Sequence, residues 1–291
     1  MAITLANLVT RFIPLLDLVY AAASVTNGLT GDPALAQAGS NARRIKIPKL
    51  TMSGLGDYSR ANGYVDGDVT VTWEEVEFNY DRGRKFIVDA MDNDETFNIA
   101  FGRLAAEFIR TKVAPEADAF TFAQIAGTPG IQTATPATYA DGAAFLAALL
   151  KASTELDEAE VPAEQRHLFV TPTLLNSVKA LDTTRSREAL QGFAHVVSVP
   201  QTRFYTAVEM LDGETAGEEA GHFQKAASGK DINFMVVHKP ALIKFDKHVI
   251  NSVITPEQNQ THDAYGVKYR KYGIVDTYEN KAKGIYLSNK A

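Results

Sequence analysis

Cysteine is absent from all 291 residues. That excludes a disulfide framework, thiolate zinc sites, iron–sulfur clusters and a cysteine nucleophile. No apolar run reaches the roughly 20 residues that a membrane span needs, because Arg11, Pro14 and Asp17 interrupt the N-terminal hydrophobic stretch. The same stretch imitates a secretory signal in its small residues at Ala21 to Ser24, yet nothing basic precedes its apolar part. Neither sign of charge dominates. With 35 acidic against 29 basic side chains the formal charge is -6, which argues against nucleic-acid binding by the whole surface and leaves room for a local basic patch. Catalytic signatures are also missing. The six histidines have no spacing that puts two ligands on one helical face. Ser59 stands where GLGDYS would need the third glycine of a dinucleotide loop, and no GxSxG elbow occurs. Adjacent carboxylates such as Glu74 and Glu75 are not placed across a cleft by adjacency alone. An enzymatic reading has no support, and no catalytic, cofactor-binding or metal-ligating residue is expected.

What is present is an ordinary folded composition, 45% hydrophobic and 22% charged, over a length that suggests about two folding units. Leu5, Leu8, Phe12, Leu15 and Val19 recur at helical spacing and form an apolar stripe, expected to pack on protein because helices lying on lipid carry more Lys and Arg. Residues 28–41 are loop-like. The run RRIKIPKL alternates as a strand, and so does the run from Val69 to Tyr80, where the phase slips at Glu74 and Glu75 as at a bulge or twist. Between them, residues 53–68 hold four glycines and few apolar side chains, so the whole reads as a long hairpin-like projection. Residues 92–127 give the strongest helix, opened by DNDE and striped by Phe97, Phe101, Leu104, Phe108 and Ile109. Pro115 is expected to kink or restart it. A second helix runs from Asp141 to about Leu156. HLFV is a strand that enters a helix capped by Thr171 with Pro172 in its first position. FAHVVSV, INFMVVH and ALIKFDK read as strands, residues 209–221 as a solvated acidic loop, and the tail from Asp263 as two or three strands with one wet face.

This order resembles the major capsid proteins of tailed bacteriophages, the Hong Kong ninety-seven type fold. The likeness rests on DRGRKFIVDAMDNDET, HLFVTPTLLNSVKAL, VVSVPQTRF, INFMVVHKPALIKFDK and above all DAYGVKYRKYGIVDTYENKAKGIYL. The resemblance implies an α+β fold with an N-terminal arm at 1–44, an extended β-hairpin loop at 45–88, a peripheral domain with a long spine helix at 89–134, a mixed α/β axial domain at 135–250, and return strands to the peripheral domain at 251–291. It implies self-assembly as pentamers and hexamers into an icosahedral head in the host cytoplasm. The partners would be a portal protein and enclosed double-stranded DNA without sequence-specific contact, with no membrane and no cofactor. An encapsulin-like nanocompartment on the same fold is the alternative, and an enzyme on a mixed scaffold the third.

Two departures from the family are informative. No lysine lies between Lys49 and Lys85, so the isopeptide crosslink that some members make from this loop is not expected and noncovalent contacts must hold the shell. The spine begins near Asp92, which leaves no room for the scaffolding domain some members carry ahead of the arm, so a separate scaffolding protein is expected. Leu8, Phe12, Arg43, Arg44, Arg60, Trp73, Arg82 and Arg84 are the candidate intersubunit contacts. Arg43, Arg44, Lys46 and Lys49 are expected to pair with acidic neighbours across subunits, with DNA contact as the alternative.

Overall fold

The alternating runs become ladders. The computed structural model describes residues 24–31, 44–91 except Asn62, and 107–291 except Gln260 and His262. Leu8, Phe12, Arg43 and the first half of the expected spine helix lie outside the described residues. Strands β1 (Arg44–Met52) and β2 (Val69–Glu77) pair antiparallel in unbroken register from Arg44↔Glu77 to Met52↔Val69. The slip at Glu74 and Glu75 is therefore not a bulge, which removes the first of the two expected causes. The pattern slips because the apolar residues change face halfway along a regular ladder. Near the root, Ile45, Ile47 and Val76 pack on Ile243, Phe245 and Ile274 of the body. Farther out, the apolar residues occupy the opposite face, as the cross-strand pairs Pro48↔Trp73, Leu50↔Val71 and Met52↔Val69.

The body beneath the hairpin is a three-stranded antiparallel sheet. Its order is β10 (Leu242–Ile254), β11 (Ala264–Thr277), then β3 (Tyr80–Asp89). Gly83 of β3 sits so close to β11 that a Cβ there would meet the Tyr269 carbonyl at 2.8 Å. A helix crosses this sheet through Ile109 and Val113, which pack on Val267 and Tyr269. Its turn at Ile109–Val113 is a π-helix, and α1 (Ala114–Gly127) continues from it with proline in the first turn. Pro115 has no N–H to donate and its ring crowds the carbonyl four residues back. The wider π turn placed just before it lets the helix continue rather than stop.

The second layer is a five-stranded mixed sheet. The order is β4 (Gln132–Thr133), β12 (Ile285–Asn289), β9 (Ile232–His238), β5 (Arg166–Val170) and β6 (His195–Ser198). Phe122 and Ile125 of α1 cover one face, against Phe169, Met235, Val237, Ile285 and Leu287. The helices α2 (Gly142–Glu158), α3 (Pro172–Lys179) and α4 (Thr184–Gln191) cover the other, where Phe145 and Leu149 meet Leu168, Val170, Phe234 and Tyr286. Burial on both faces is why HLFV and INFMVVH read as continuous apolar runs rather than alternating ones. Asp141 caps α2 by accepting from the Ala144 N–H at 2.8 Å, as its sequence position suggested. A short ribbon, β7 (Val208–Met210) with β8 (Phe223–Lys225), brackets the acidic loop.

Candidate intersubunit surfaces

The face change leaves the outer hairpin with an apolar side that no described residue covers. Leu50, Met52, Val69, Val71 and Trp73 are each at least half exposed, Val69 at 68% and Trp73 at 62%. Exposed apolar side chains gathered on one face mark an interaction surface. The tip is polar in composition and held in shape. Asp68 N–H donates to the Ser53 hydroxyl at 3.0 Å, Ser59 and Gly63 exchange backbone hydrogen bonds at 3.2 and 2.7 Å, and the Tyr58 and Tyr64 rings lie 4.9 Å apart. Gly63, at φ +79°, takes the left-handed turn that closes the loop. Leu55, Tyr58, Tyr64 and Val65 nevertheless face solvent. At the hairpin root, a groove of about 810 Å³ runs between β1 and the body. It is lined by Ile45, Lys46, Ile47, Pro48, Trp73, Ile243, Phe245, Tyr278 and Lys281.

The arginines singled out from the sequence fall in three places. Arg44 bonds Glu77 and Glu75 across the ladder, and these bonds, Glu77 first, hold its guanidinium above the ordinary arginine range. Lys46 joins Glu75 at 2.9 Å, and Lys49 joins Glu279. The root cations thus pair with acids of their own chain. Arg60 is exposed at the tip. Arg82 and Arg84 come together on β3, Arg82 turned inward and Arg84 exposed. Arg82 Nε donates to Glu116 at 2.8 Å while its Nη2 reaches the carbonyls of Leu211 at 2.7 Å and His222 at 3.3 Å. Arg84 donates to the Glu219 carbonyl at 2.9 Å. Gly213 and Gly221, both at positive φ, give Arg84 its space, since a Cβ at either would meet Nη1 within 3 Å. The acidic loop is therefore solvated at its carboxylates and clamped by its backbone. Burial alone would raise the Glu116 carboxyl, but the bonds from His222 and Arg82 outweigh it and hold the group below the usual carboxylate range.

A second cluster carries no sequence signature. Asp118, fully buried on α1, accepts from the Ser24 hydroxyl at 2.8 Å, the Val25 and Thr26 N–H groups at 3.0 and 3.1 Å, the Thr26 hydroxyl at 2.7 Å and Arg203 Nη1 at 3.0 Å. Lys244 on β10 donates to the Thr26 carbonyl at 2.9 Å and hydroxyl at 2.6 Å. Burial pushes the Lys244 ammonium down to about 8, with Asp118 opposing that shift. Leu29, three residues on, is fully buried in the core. The chain ahead of Ser24 is thus pinned at its root by two interior charges, and only the 92-residue separation of Thr26 from Asp118 hid this from a reading of the sequence.

Among the described residues, no group of three His, Asp or Glu could hold a metal ion, and no helix is long and apolar enough to cross a membrane. No family model matches the sequence. No curated protein matches it either. Solved structures do. A chain from Mycobacterium phage Che8 aligns at TM-score 0.60 and 13% identity over 91% of this chain and 90% of that one. The mature capsid of bacteriophage PhiM1 aligns at TM-score 0.60 and 13% identity over 87% and 84%. The virus-like particle from Pyrococcus furiosus aligns at 0.58 and 12% over 96% and 98%. At such identities the likeness is one of fold: this chain has the α+β architecture of the phage capsid structures it matches.

Proposed function

We propose that the chain is the major capsid protein of a tailed bacteriophage, assembling as pentamers and hexamers into the icosahedral head that encloses the genome. The observation that carries this reading is the projecting hairpin, whose outer apolar face has no partner among the described residues yet belongs to a fold that capsids share. A monomer gains nothing from such a face, whereas a shell buries it on a neighbour. The contacts are noncovalent, since the loop has no lysine between Lys49 and Lys85 and the chain has no cysteine. In this reading the arm ahead of Ser24 and the hairpin are the two reaching elements, a separate scaffolding protein sets shell size in the host cytoplasm, and a portal protein occupies one vertex. The DNA is enclosed without sequence-specific contact.

A nanocompartment shell is the second reading, and the match to the Pyrococcus furiosus particle favours it. Imaging the purified product, expressed with and without its neighbouring genes, separates the two. Large shells with DNA or a tail vertex support the first, and smaller shells filled with protein support the second. A chain that stays a monomer or dimer under all conditions would sink both.

A further inference from the structure

The five-stranded sheet has a cationic corner at its β6 edge. His167 of β5 and His195 of β6 are direct partners in the parallel ladder, and their rings lie 4.8 Å apart. Beside them opens a cavity of about 450 Å³. Val25, whose N–H is held by Asp118, and Phe169 give it apolar walls, while Gln165 and Lys239 join the two histidines as its polar lining. Each of these four polar side chains can donate a hydrogen bond, and no carboxylate lies among the described lining residues. Neither histidine nor Lys239 is paired with a described acid. Glu160 and Glu164, ahead of β5, do not line the cavity, and the nearby acids Asp118 and Asp157 are engaged by Arg203 and Arg166. Three basic groups thus crowd together without compensation. Burial first, then His195 and Lys239, press the His167 imidazole down to about 4. The backbone is also forced at this point. Gln165 takes φ +61°, and its carbonyl accepts the Lys239 N–H at 3.1 Å, so a left-handed residue places the lysine.

We propose that this cavity binds a phosphate monoester, its anionic head held by Lys239, His167 and His195 and its organic part against Val25 and Phe169. The inference goes beyond the capsid reading and does not depend on it. Lysine offers phosphate a point charge, and each imidazole offers one N–H when neutral and two when protonated. An anion set between the three relieves their repulsion and favours the charged form of His167. The volume lies within the range of small-molecule sites, about 300 to 1,000 Å³, and leaves room for more than the phosphate alone. His195 is exposed and Lys239 half-buried, so the head has a way in from solvent.

Phenyl phosphate is the probe, titrated calorimetrically into the full chain in phosphate-free buffer. One molecule per chain is expected to bind, more tightly than inorganic phosphate, and phenol is expected not to bind. Hydrogen exchange should slow at residues 24–29 and 194–197. Lys239→Glu should weaken binding by at least about tenfold, the loss of one charge-assisted hydrogen bond, while Lys239→Arg keeps it and the urea midpoint of both stays at the wild-type value. No binding at millimolar probe overturns the proposal, and so does equal binding by phenol, protection confined to other segments, or full affinity in a folded Lys239→Glu chain. Displacement of the probe by a short DNA duplex also overturns it, in favour of a backbone phosphate. If Lys239→Glu unfolds the chain, His195→Asp at its exposed position decides, with the same loss expected. None of these outcomes bears on whether the chain forms particles, so the capsid reading stands or falls separately.

Discussion

Asp118 holds three stretches of chain with one carboxylate. Its five acceptor bonds reach Ser24, Val25, Thr26 and Arg203, and Lys244 completes the cluster from the opposite strand. Replacing it with alanine strips Lys244, fully buried, of its nearest opposing charge and frees the chain at Ser24. Asp118→Ala is expected to lower unfolding free energy by about 3 to 5 kcal/mol, read as a lower urea midpoint, together with new protease cutting near Thr26. His167 gives a pH dependence of definite sign. Burial, then His195 and Lys239, push its imidazole down to about 4 from 6.5. Below pH 6.5 the unfolded chain binds a proton that the folded chain refuses, so stability is full above 6.5 and falls as pH drops toward 4. The contribution lost between pH 7 and pH 5 is about 2 kcal/mol. His167→Phe should shrink the difference in stability between those two pH values by about that amount, and an unchanged difference would refute the assignment.

At the scale of the element, the hairpin separates folding from association. Leu50→Ser with Val71→Ser alters only the exposed face, so monomer stability should stay within about 0.5 kcal/mol of wild type while particle yield falls, as measured by sedimentation. Equal loss of both would mean that the face packs within its own chain. The Arg82 clamp behaves oppositely. Arg82→Ala leaves Glu116 buried without its main cation and releases the carbonyls of Leu211 and His222, so hydrogen exchange in residues 211–222 should rise by at least tenfold. Sequence reasoning fared differently from element to element for physical reasons. The hairpin, the capped helix at Asp141, the helix start at Pro172 and the buried strands were legible, because each rests on local periodicity, a local cap or a proline that fits the first helical position, although Thr171 makes no side-chain capping bond. The helix at Thr184–Gln191 was not. Its apolar residues are only Ala189 and Leu190, and its start is set by the Thr183–Ser186 capping box rather than by a stripe. The face change at Glu74 was visible as a broken phase, but whether a ladder bulges or its apolar side swaps depends on what each face meets. The inward turn of Arg82 depends on Glu116, 34 residues away, and no spacing rule reaches that far.

The whole molecule joins a net charge of -6 to a basic root that its own acids neutralise. Arg44, Lys46 and Lys49 are engaged by Glu75, Glu77 and Glu279, so the described cations of the root are already paired where phosphate would recruit them. Purified subunits are therefore expected not to retain duplex DNA in a mobility-shift assay near 0.15 M salt, and neutralising these three residues should leave that result unchanged. Retention that falls steeply with added salt would instead establish a DNA contact. If the proposed shell forms, its subunits bear force, and the pinned root at Thr26 decides where tension on the chain ahead of Ser24 enters. Tension on the chain ahead of Ser24 is shared by six hydrogen bonds, four to Asp118 on the helix and two to Lys244 on β10. All six meet the chain within the three residues Ser24 to Thr26. A pull on the arm is passed to the helix through Asp118 and to the edge strand of the three-stranded sheet through Lys244, so it reaches two elements of the fold at one point.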